Sequence, residues 1–313
     1  MTIFTRKNNS DSKQDSRKPG IAIVAASGCA NDEPGVVRGL QVLRDRGFEV
    51  YNYYQPDKKF QRFGGTDSQR AAQLHDAADN PDVDIIMALR GSYGLSRLLP
   101  HLDYKKLVSS GKCFVGYSDF NALHLALLSQ GHQASISGPM LCDDFSREDL
   151  SEFTLQSFFN CIKNTHHHVE FDTNASPECD VAGTLWGGNL AMLTHLAGTP
   201  YFPKIDNGIL FVEDIAEHPY RVERMMLQLH FAGVLEQQSA IVFGDFSGYK
   251  LAAHDNGYNF EQMIQFLRET VKVPIITGLP FGHIKDKASL VIGSQASLLC
   301  QRGKVRLEMH YEF

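Results

Sequence analysis

A serine lies where the sequence predicts a sharp turn from a strand into a helix. Cys113-Phe114-Val115 is typical of the end of a buried strand, and residues 121–128 form an apolar helical pattern after Gly116-Tyr117-Ser118-Asp119. A hydroxyl at such a turn projects above the sheet edge, with the positive end of the helix dipole behind it. Ser118 is therefore a candidate nucleophile. The string is half of a G-x-S-x-G elbow, because Phe120 replaces the second glycine, and a helix-capping serine is the alternative.

A serine nucleophile needs a base, and the base needs an acid that orients it. Glu213 ends a predicted strand over residues 209–212, and His283 follows Gly282 at the end of an extended segment. Both positions are strand ends, where ligands of α/β sheets bind. We predict that Ser118, Glu213 and His283 form a catalytic triad. Asp214 is the acidic alternative, but successive strand residues point to opposite faces, so only one of the two acids is expected to face the site.

Other histidines fit the role of base less well. Residues 166–168 are three histidines in a polar connector, where solvated side chains are expected. His124 and His230 fall within predicted helices, where packing or surface roles are expected. His283 remains the preferred base, because the preceding glycine lets the backbone turn sharply.

A second strand end carries Arg90-Gly91-Ser92-Tyr93-Gly94, after a predicted strand over residues 83–89. A glycine-bearing loop beside a nucleophile can direct backbone N–H groups at a developing oxyanion, as the N–H of Asp119 could from the serine turn itself. A plain tight turn is the alternative interpretation of this loop.

The composition excludes several classes of protein. The chain has 313 residues, a formal charge of −6 and no run of about 18 apolar residues, so nucleic-acid and membrane partners are not expected. Neither a dinucleotide nor a P-loop motif occurs, and no His or Cys group has metal-ligand spacing, so we predict no cofactor and no metal. The six cysteines lack any C-x-x-C pair, which indicates reduced thiols and a cytoplasmic protein.

The apolar pattern divides the chain into four parts. Residues 1–19 are polar without an apolar segment, and we expect a disordered leader rather than a secretory signal. Over residues 20–145 short strands alternate with helices, which predicts a doubly wound parallel sheet. Residues 146–180 are polar and contain a helical stretch, and we interpret them as a linker. Residues 181–313 predict a second α/β domain that is richer in strand.

Taken in order, these motifs resemble the LD-carboxypeptidase family of serine peptidases, which act on murein peptides and include the microcin C immunity peptidases. The resemblance runs from Ile21 to the C-terminus. It rests on the strings 90–94 and 115–119, Gly183-Thr184-Leu185-Trp186-Gly187-Gly188-Asn189-Leu190, Phe211-Val212-Glu213-Asp214, Tyr220-Arg221-Val222-Glu223-Arg224, and Gly278-Leu279-Pro280-Phe281-Gly282-His283.

The resemblance implies a flavodoxin-like N-terminal domain, a strand-rich C-terminal domain, an active site between them and a homodimer. It implies that Ser118 is the nucleophile, His283 the base and Glu213 the acid that orients it. Backbone N–H groups of Ser92 and Asp119 would form the oxyanion hole. The family commonly has two glycines after the arginine, so if position 92 needs a positive φ, Ser92 would bear a conformational cost.

The implied reaction is the release of terminal D-alanine from murein tetrapeptide during cell-wall recycling. An immunity-type peptidase that cleaves aminoacyl or peptidyl nucleotide toxins is one alternative, and a non-catalytic small-ligand-binding protein is another. The carboxylate of the substrate could be held by Arg90, Arg221 or a helix N-terminus. We also expect substrate contacts from Tyr93, Trp186 and Asn189, of which Trp186 could serve as a platform for a base or equally lie in the core.

Overall fold

The computed structural model describes residues 17–313, and the predicted leader falls mostly outside the described residues. The first half alternates strands and helices, as the apolar pattern predicts. The elements are β1 (Gly20–Val24), α1 (Glu33–Asp45), β2 (Glu49–Asn52), α2 (Asp67–Asp79), β3 (Ile85–Ala88), α3 (Tyr104–Ser109), β4 (Cys113–Gly116), α4 (Asn121–Gly131) and β5 (Ser135–Ser137).

The second half contains more strand than helix. Its elements are α5 (Glu152–Lys163), β6 (His166–Asp172), β7 (Cys179–Asn189), α6 (Leu190–Leu196), β8 (Gly208–Glu213), α7 (Pro219–Phe231), β9 (Gln238–Phe243), α8 (Phe260–Thr270), β10 (Ile275–Thr277), β11 (Leu290–Ile292), β12 (Gln295–Gln301) and β13 (Lys304–His310).

The first sheet has the strand order β11-β5-β4-β3-β1-β2. Strands β1 to β5 are parallel and their order is that of a flavodoxin-like sheet, which confirms the predicted fold class. Strands β1, β3 and β4 are buried along their whole length, as expected for a parallel sheet with helices on both faces. Their sequences are accordingly continuous apolar runs. The sixth strand, β11, comes from the far end of the sequence and pairs antiparallel with β5.

The second sheet has the order β10-β9-β8-β7-β12-β13-β6 and combines two kinds of pairing. Strands β7 to β10 are parallel, whereas β12, β13 and β6 continue the sheet in antiparallel pairs. The 11-residue strand β7 belongs to both parts. Its end meets the start of α4, since a β-carbon built on Gly188 would lie 2.2 Å from the side-chain oxygen of Asn121. The carboxyl ends of the two parallel sets therefore lie against each other.

Residues 146–180, which we interpreted as a linker, carry α5 and the whole of β6. Strand β6 pairs with β13 over seven residues, so the three histidines at 166–168 lie in a sheet edge rather than in a connector. Within this strand His167 is half-buried and its Nε2 lies 3.1 Å from the hydroxyl of Ser157. Burial lowers the pKa of His167 to about 4. The alternation of polar and half-buried side chains along an edge strand explains why the segment is so polar.

Candidate active site

Ser118 occupies a strained turn directly after β4. Its φ is 60°, a left-handed conformation that costs a residue with a β-carbon free energy and that is typical of a nucleophile at a strand-to-helix elbow. The side chain of Phe120 packs over Gly116, where a built β-carbon would lie 2.7 Å from the ring. Phe120 is the residue that replaces the second glycine of the motif. Because Gly116 has no side chain, the ring of Phe120 has room to pack there.

The glycine loop after β3 lies against this turn. A β-carbon built on Gly91 would lie 2.8 Å from the β-carbon of Ser118, 2.9 Å from its hydroxyl oxygen and 3.4 Å from the backbone nitrogen of Asp119. The side chain of Asp119 accepts hydrogen bonds from the Leu95 N–H at 2.9 Å and the Ser27 hydroxyl at 2.6 Å. Asp119 therefore ties the loops after β1 and β3 to the serine turn.

Ser92 has a φ of 86°. This is the left-handed conformation in which we expected a residue other than glycine to bear a cost. Its hydroxyl accepts a hydrogen bond from the guanidinium of Arg62 at 2.8 Å. Ser92 therefore combines an unfavourable backbone conformation with a side-chain hydrogen bond to Arg62.

Glu213 and His283 meet at the carboxyl end of β8. The Nδ1 of His283 lies 2.8 Å from Oε2 of Glu213, and the side chains are 17% and 0% exposed. Burial alone would lower the pKa of His283, but the hydrogen bond and the charge of Glu213 outweigh burial and raise it. With Nδ1–H donated to the carboxylate, Nε2 is the nitrogen that remains to accept a proton.

Asn189 connects the two acids at this strand end. Its side-chain amide donates to Oε1 of Glu213 at 3.2 Å and to Oδ1 of Asp214 at 3.1 Å. The expectation that Glu213 and Asp214 face opposite sides is wrong in this respect, because β8 ends at Glu213 and Asp214 lies beyond the pleated part. Burial, followed by the charge of Glu213, raises the pKa of Asp214 to about 6. Asn189 is itself buried, and its position gives it a role in holding Glu213.

Tyr117, the residue before Ser118, packs between two side chains of the loop that carries His283. Its ring centroid lies 5.0 Å from that of His283, in an edge-on arrangement, and 4.8 Å from Nζ of Lys287. Lys287 is fully buried and forms an ion pair with Asp144, which precedes α5 in the chain. The pair thus joins the two halves of the molecule beside the candidate site, and nothing in the local sequence around either residue predicts it.

Replacing Lys287 with methionine is expected to lower the free energy of unfolding by about 3–5 kcal/mol, since Asp144 would keep a buried charge without its partner. The double variant K287M/D144L, which removes both charges, should recover most of that loss. Urea denaturation at pH 7 measures both values. A double variant that is no more stable than K287M would contradict this account of the pair.

The structure distributes the predicted substrate contacts unevenly. Arg90 is half-buried and donates to the backbone oxygen of Cys29 at 3.2 Å, and Tyr93 is exposed in the glycine loop. Arg221 lies on the surface of α7, where it pairs with Glu217. Trp186 is 1% exposed and its indole N–H donates to Oε1 of Gln238 at 2.8 Å. The interpretation of Trp186 as a platform for a base is therefore not retained, because its ring lies in the core.

The histidine within α4 is placed as the sequence predicts. His124 is fully buried in α4 with Nε2 3.0 Å from the oxygen of Gly116, and burial lowers its pKa to about 4. Such a histidine packs and does not serve as a base for Ser118. Cys113 and Cys300 are also buried, where a free thiol packs as a small apolar side chain. Over residues 17–313 no group of three or more His, Cys, Asp or Glu side chains could hold a metal ion, and no helix is long and apolar enough to cross a membrane.

A serine at a strand-to-helix turn and a buried histidine–carboxylate pair are side chains of the kinds that serine hydrolases use. The comparisons with known proteins agree. The LD-carboxypeptidase N-terminal domain matches residues 21–138 and the LD-carboxypeptidase C-terminal domain matches residues 182–298. The chain belongs to the LD-carboxypeptidase family and is a carboxypeptidase of the serine class.

Three relatives illustrate the range of the family. A crystal structure of muramoyltetrapeptide carboxypeptidase from Oxalobacter formigenes is 50% identical, covers 94% of this chain and all of the other, and has a TM-score of 0.91. The murein tetrapeptide carboxypeptidase of Pseudomonas aeruginosa is 30% identical over 89% of this chain and 92% of its own length. The microcin C7 self-immunity protein MccF of Escherichia coli is 25% identical over 83% and 84%.

Proposed function

We propose that this chain removes the terminal D-alanine from murein tetrapeptide, with Ser118 as nucleophile, His283 as general base and Glu213 as the carboxylate that orients it. The observation that carries the proposal is the 2.8 Å contact between Nδ1 of His283 and Oε2 of Glu213. The ring of His283 also packs against Tyr117, the residue before Ser118. The names of the relatives from Oxalobacter formigenes and Pseudomonas aeruginosa support the substrate.

The first half of the reaction forms an ester on Ser118. Its oxygen attacks the carbonyl carbon of the bond to D-alanine while Nε2 of His283 accepts the hydroxyl proton. The positive imidazolium is stabilised by Glu213, which is fully buried and is held by Asn189. The C–N bond then breaks as His283 returns the proton to the amine of D-alanine.

The second half releases the tripeptide. Water attacks the ester carbonyl, His283 accepts a proton from it, and the C–O bond to Ser118 breaks as the serine oxygen regains a proton. In both halves the carbonyl oxygen becomes negative. The backbone N–H groups of Ser92 and Asp119 are proposed to stabilise that charge. The close approach of Gly91 to the serine turn, where a built β-carbon would clash with Ser118, supports the arrangement.

We expect the purified protein to shorten murein tetrapeptide by one alanine, because a terminal cut beside a carboxylate is the reaction the site is proposed to perform. Mass spectrometry of the peptide after incubation measures it, and an aminoacyl sulfamoyl adenylate serves as the competing substrate. Cleavage of the nucleotide alone would contradict the proposal. The burial of Trp186 argues against that outcome, since a base would find no exposed tryptophan ring there.

The family resemblance also supports three statements about context, which we include in the proposal. The reaction would serve cell-wall recycling, it would take place in the cytoplasm, and the protein would act as a homodimer. Light scattering on the purified protein tests the last of these, since a monomeric mass at micromolar concentration would contradict it.

A further inference from the structure

A carboxypeptidase must recognise the free carboxylate of its substrate, and a guanidinium is the side chain best suited to bind one in two hydrogen bonds. The terminal carboxylate lies one residue, or about 4 Å, beyond the scissile carbonyl. The group that binds it must therefore lie within about a residue's length of the Ser118 turn. The sequence motifs suggest Arg90, Arg221 or a helix N-terminus, and the structure places a third arginine, Arg62, against the glycine loop beside this turn.

Arg62 is anchored at the carboxyl edge of the first sheet by its backbone. Its carbonyl accepts a hydrogen bond from the N–H of Cys29 at 3.0 Å, in the loop after β1. The N–H of Gly28 in that same loop donates to the carbonyl of Gly91 at 3.1 Å. Strands β1, β3 and β4 are neighbours in the sheet, so the loops that follow them lie side by side. Arg62 is bonded to the first of these loops and therefore lies near the loop that carries Ser118.

The side chain of Arg62 is directed by two contacts with the glycine loop. Its Nη2 donates to the hydroxyl of Ser92 at 2.8 Å, and its guanidinium carbon lies 6.0 Å from the ring centroid of Tyr93. Ser92 follows Gly91, which touches Ser118. The φ of 86° at Ser92 is conformationally unfavourable for a residue other than glycine. The same residue supplies the hydroxyl that holds Arg62.

The charge of Arg62 is not neutralised within the part of the chain that the structure describes. Over residues 17–313 no carboxylate forms an ion pair with it, whereas Arg221 is paired with Glu217. Arg90 is half-buried and engaged with a backbone carbonyl. Arg62 is exposed, and among residues 17–313 its side chain donates a hydrogen bond only to Ser92, so it can bind an incoming carboxylate without losing a protein partner.

We infer that Arg62, held in place by the hydroxyl of Ser92, binds the terminal carboxylate of the substrate and so makes the enzyme an exopeptidase. This inference rests on the proposed function and names a residue for it. It also explains why a serine occupies a left-handed position that would suit glycine better.

The test compares murein tetrapeptide with the same peptide ending in D-alaninamide. Arg62→Gln should raise KM for the free acid about 10- to 100-fold with little change in kcat, because a charge-assisted bidentate contact is lost. The wild-type preference for acid over amide, expressed as the ratio of kcat/KM values, should fall to near one. Ser92→Gly should raise KM for the acid about 2- to 10-fold, since Arg62 loses its holding partner.

Two arginine variants complete the experiment. Arg44→Gln removes an exposed arginine from the surface of α1 and should keep the wild-type ratio. If Arg90→Gln abolishes the preference while Arg62→Gln preserves it, the inference is overturned and Arg90 is the ligand. If Arg62→Gln weakens acid and amide equally, carboxylate recognition by Arg62 is overturned. If the wild type released neither D-alanine from the acid nor D-alaninamide from the amide, the proposed function itself would be overturned, and the inference with it.

Discussion

Replacing Ser118 with alanine is expected to reduce the turnover of murein tetrapeptide by a factor on the order of 10⁴ to 10⁶, since removal of a triad nucleophile leaves only binding and the oxyanion donors. Alanine keeps the β-carbon, so the turn with φ of 60° retains its conformation and its strain. The variant should therefore unfold at the same urea concentration as the wild type. Steady-state kinetics and urea denaturation measure the two quantities.

Ser109→Ala is the matched control, because Ser109 is an exposed serine at the end of α3. It should leave kcat/KM unchanged. Ser118→Ala also separates an enzyme from a protein that only binds a ligand. A protein that only binds its ligand would keep its full function in this variant. The proposed enzyme should still bind tetrapeptide but should no longer cleave it. Retention of more than about one hundredth of the wild-type rate would contradict Ser118 as the nucleophile.

The parts of the fold that the sequence predicts are those in which local pattern and tertiary position agree. Strands β1, β3 and β4 are uninterrupted apolar runs, and the parallel sheet buries them on both faces. The serine turn follows β4 directly, so its place at the sheet edge is determined by that strand. Glu213 ends β8, and His283, 70 residues later, lies in the loop after β10, whose carboxyl end is at the same edge of the parallel strands. The expectation that His283 is itself at a strand end is wrong, because β10 ends at Thr277.

The parts that the sequence does not predict depend on contacts between distant segments. Strand β11 has three residues and completes a sheet whose neighbouring strand lies about 150 residues earlier. Nothing in Leu290-Val291-Ile292 indicates which sheet it joins, since any apolar edge would accept it. The segment 146–180 is similar, because the polar strand β6 is stabilised by pairing with β13 rather than by its own composition.

The loop that carries His283 depends on the same kind of contact. The hydroxyl of Thr154 on α5 donates to the carbonyl of Lys285 at 2.9 Å and accepts from the N–H of Lys287 at 2.9 Å. The hydroxyl of Ser157 accepts from the N–H of Ser289 at 2.8 Å. Helix α5 therefore anchors the loop after His283, although the sequence presents the helix only as part of a polar connecting stretch. Side-chain partners more than 100 residues away leave no local signature.

Replacing Glu213 with glutamine is expected to lower kcat by about 10⁴-fold, because a buried amide cannot stabilise the imidazolium or fix Nδ1–H as a carboxylate does. The substitution preserves shape and adds a donor where Asn189 already donates at 3.2 Å, so some rearrangement of that contact is expected. Glu217→Gln is the matched control. Glu217 pairs with the exposed Arg221 on α7, and its loss should leave kcat within about twofold of the wild type.

The pH profile gives this prediction a second, independent measurement. In the wild type the pKa of His283 is raised, so kcat/KM should increase with pH through an apparent pKa above 6.5 as the base becomes neutral. Burial opposes the charged imidazole, and the hydrogen bond and charge of Glu213 outweigh it. Without the charge of Glu213, burial is left to dominate, so the acidic limb of the E213Q profile should move to lower pH. A limb that stays in place, or moves to higher pH, would show that Glu213 does not set the charge state of the base.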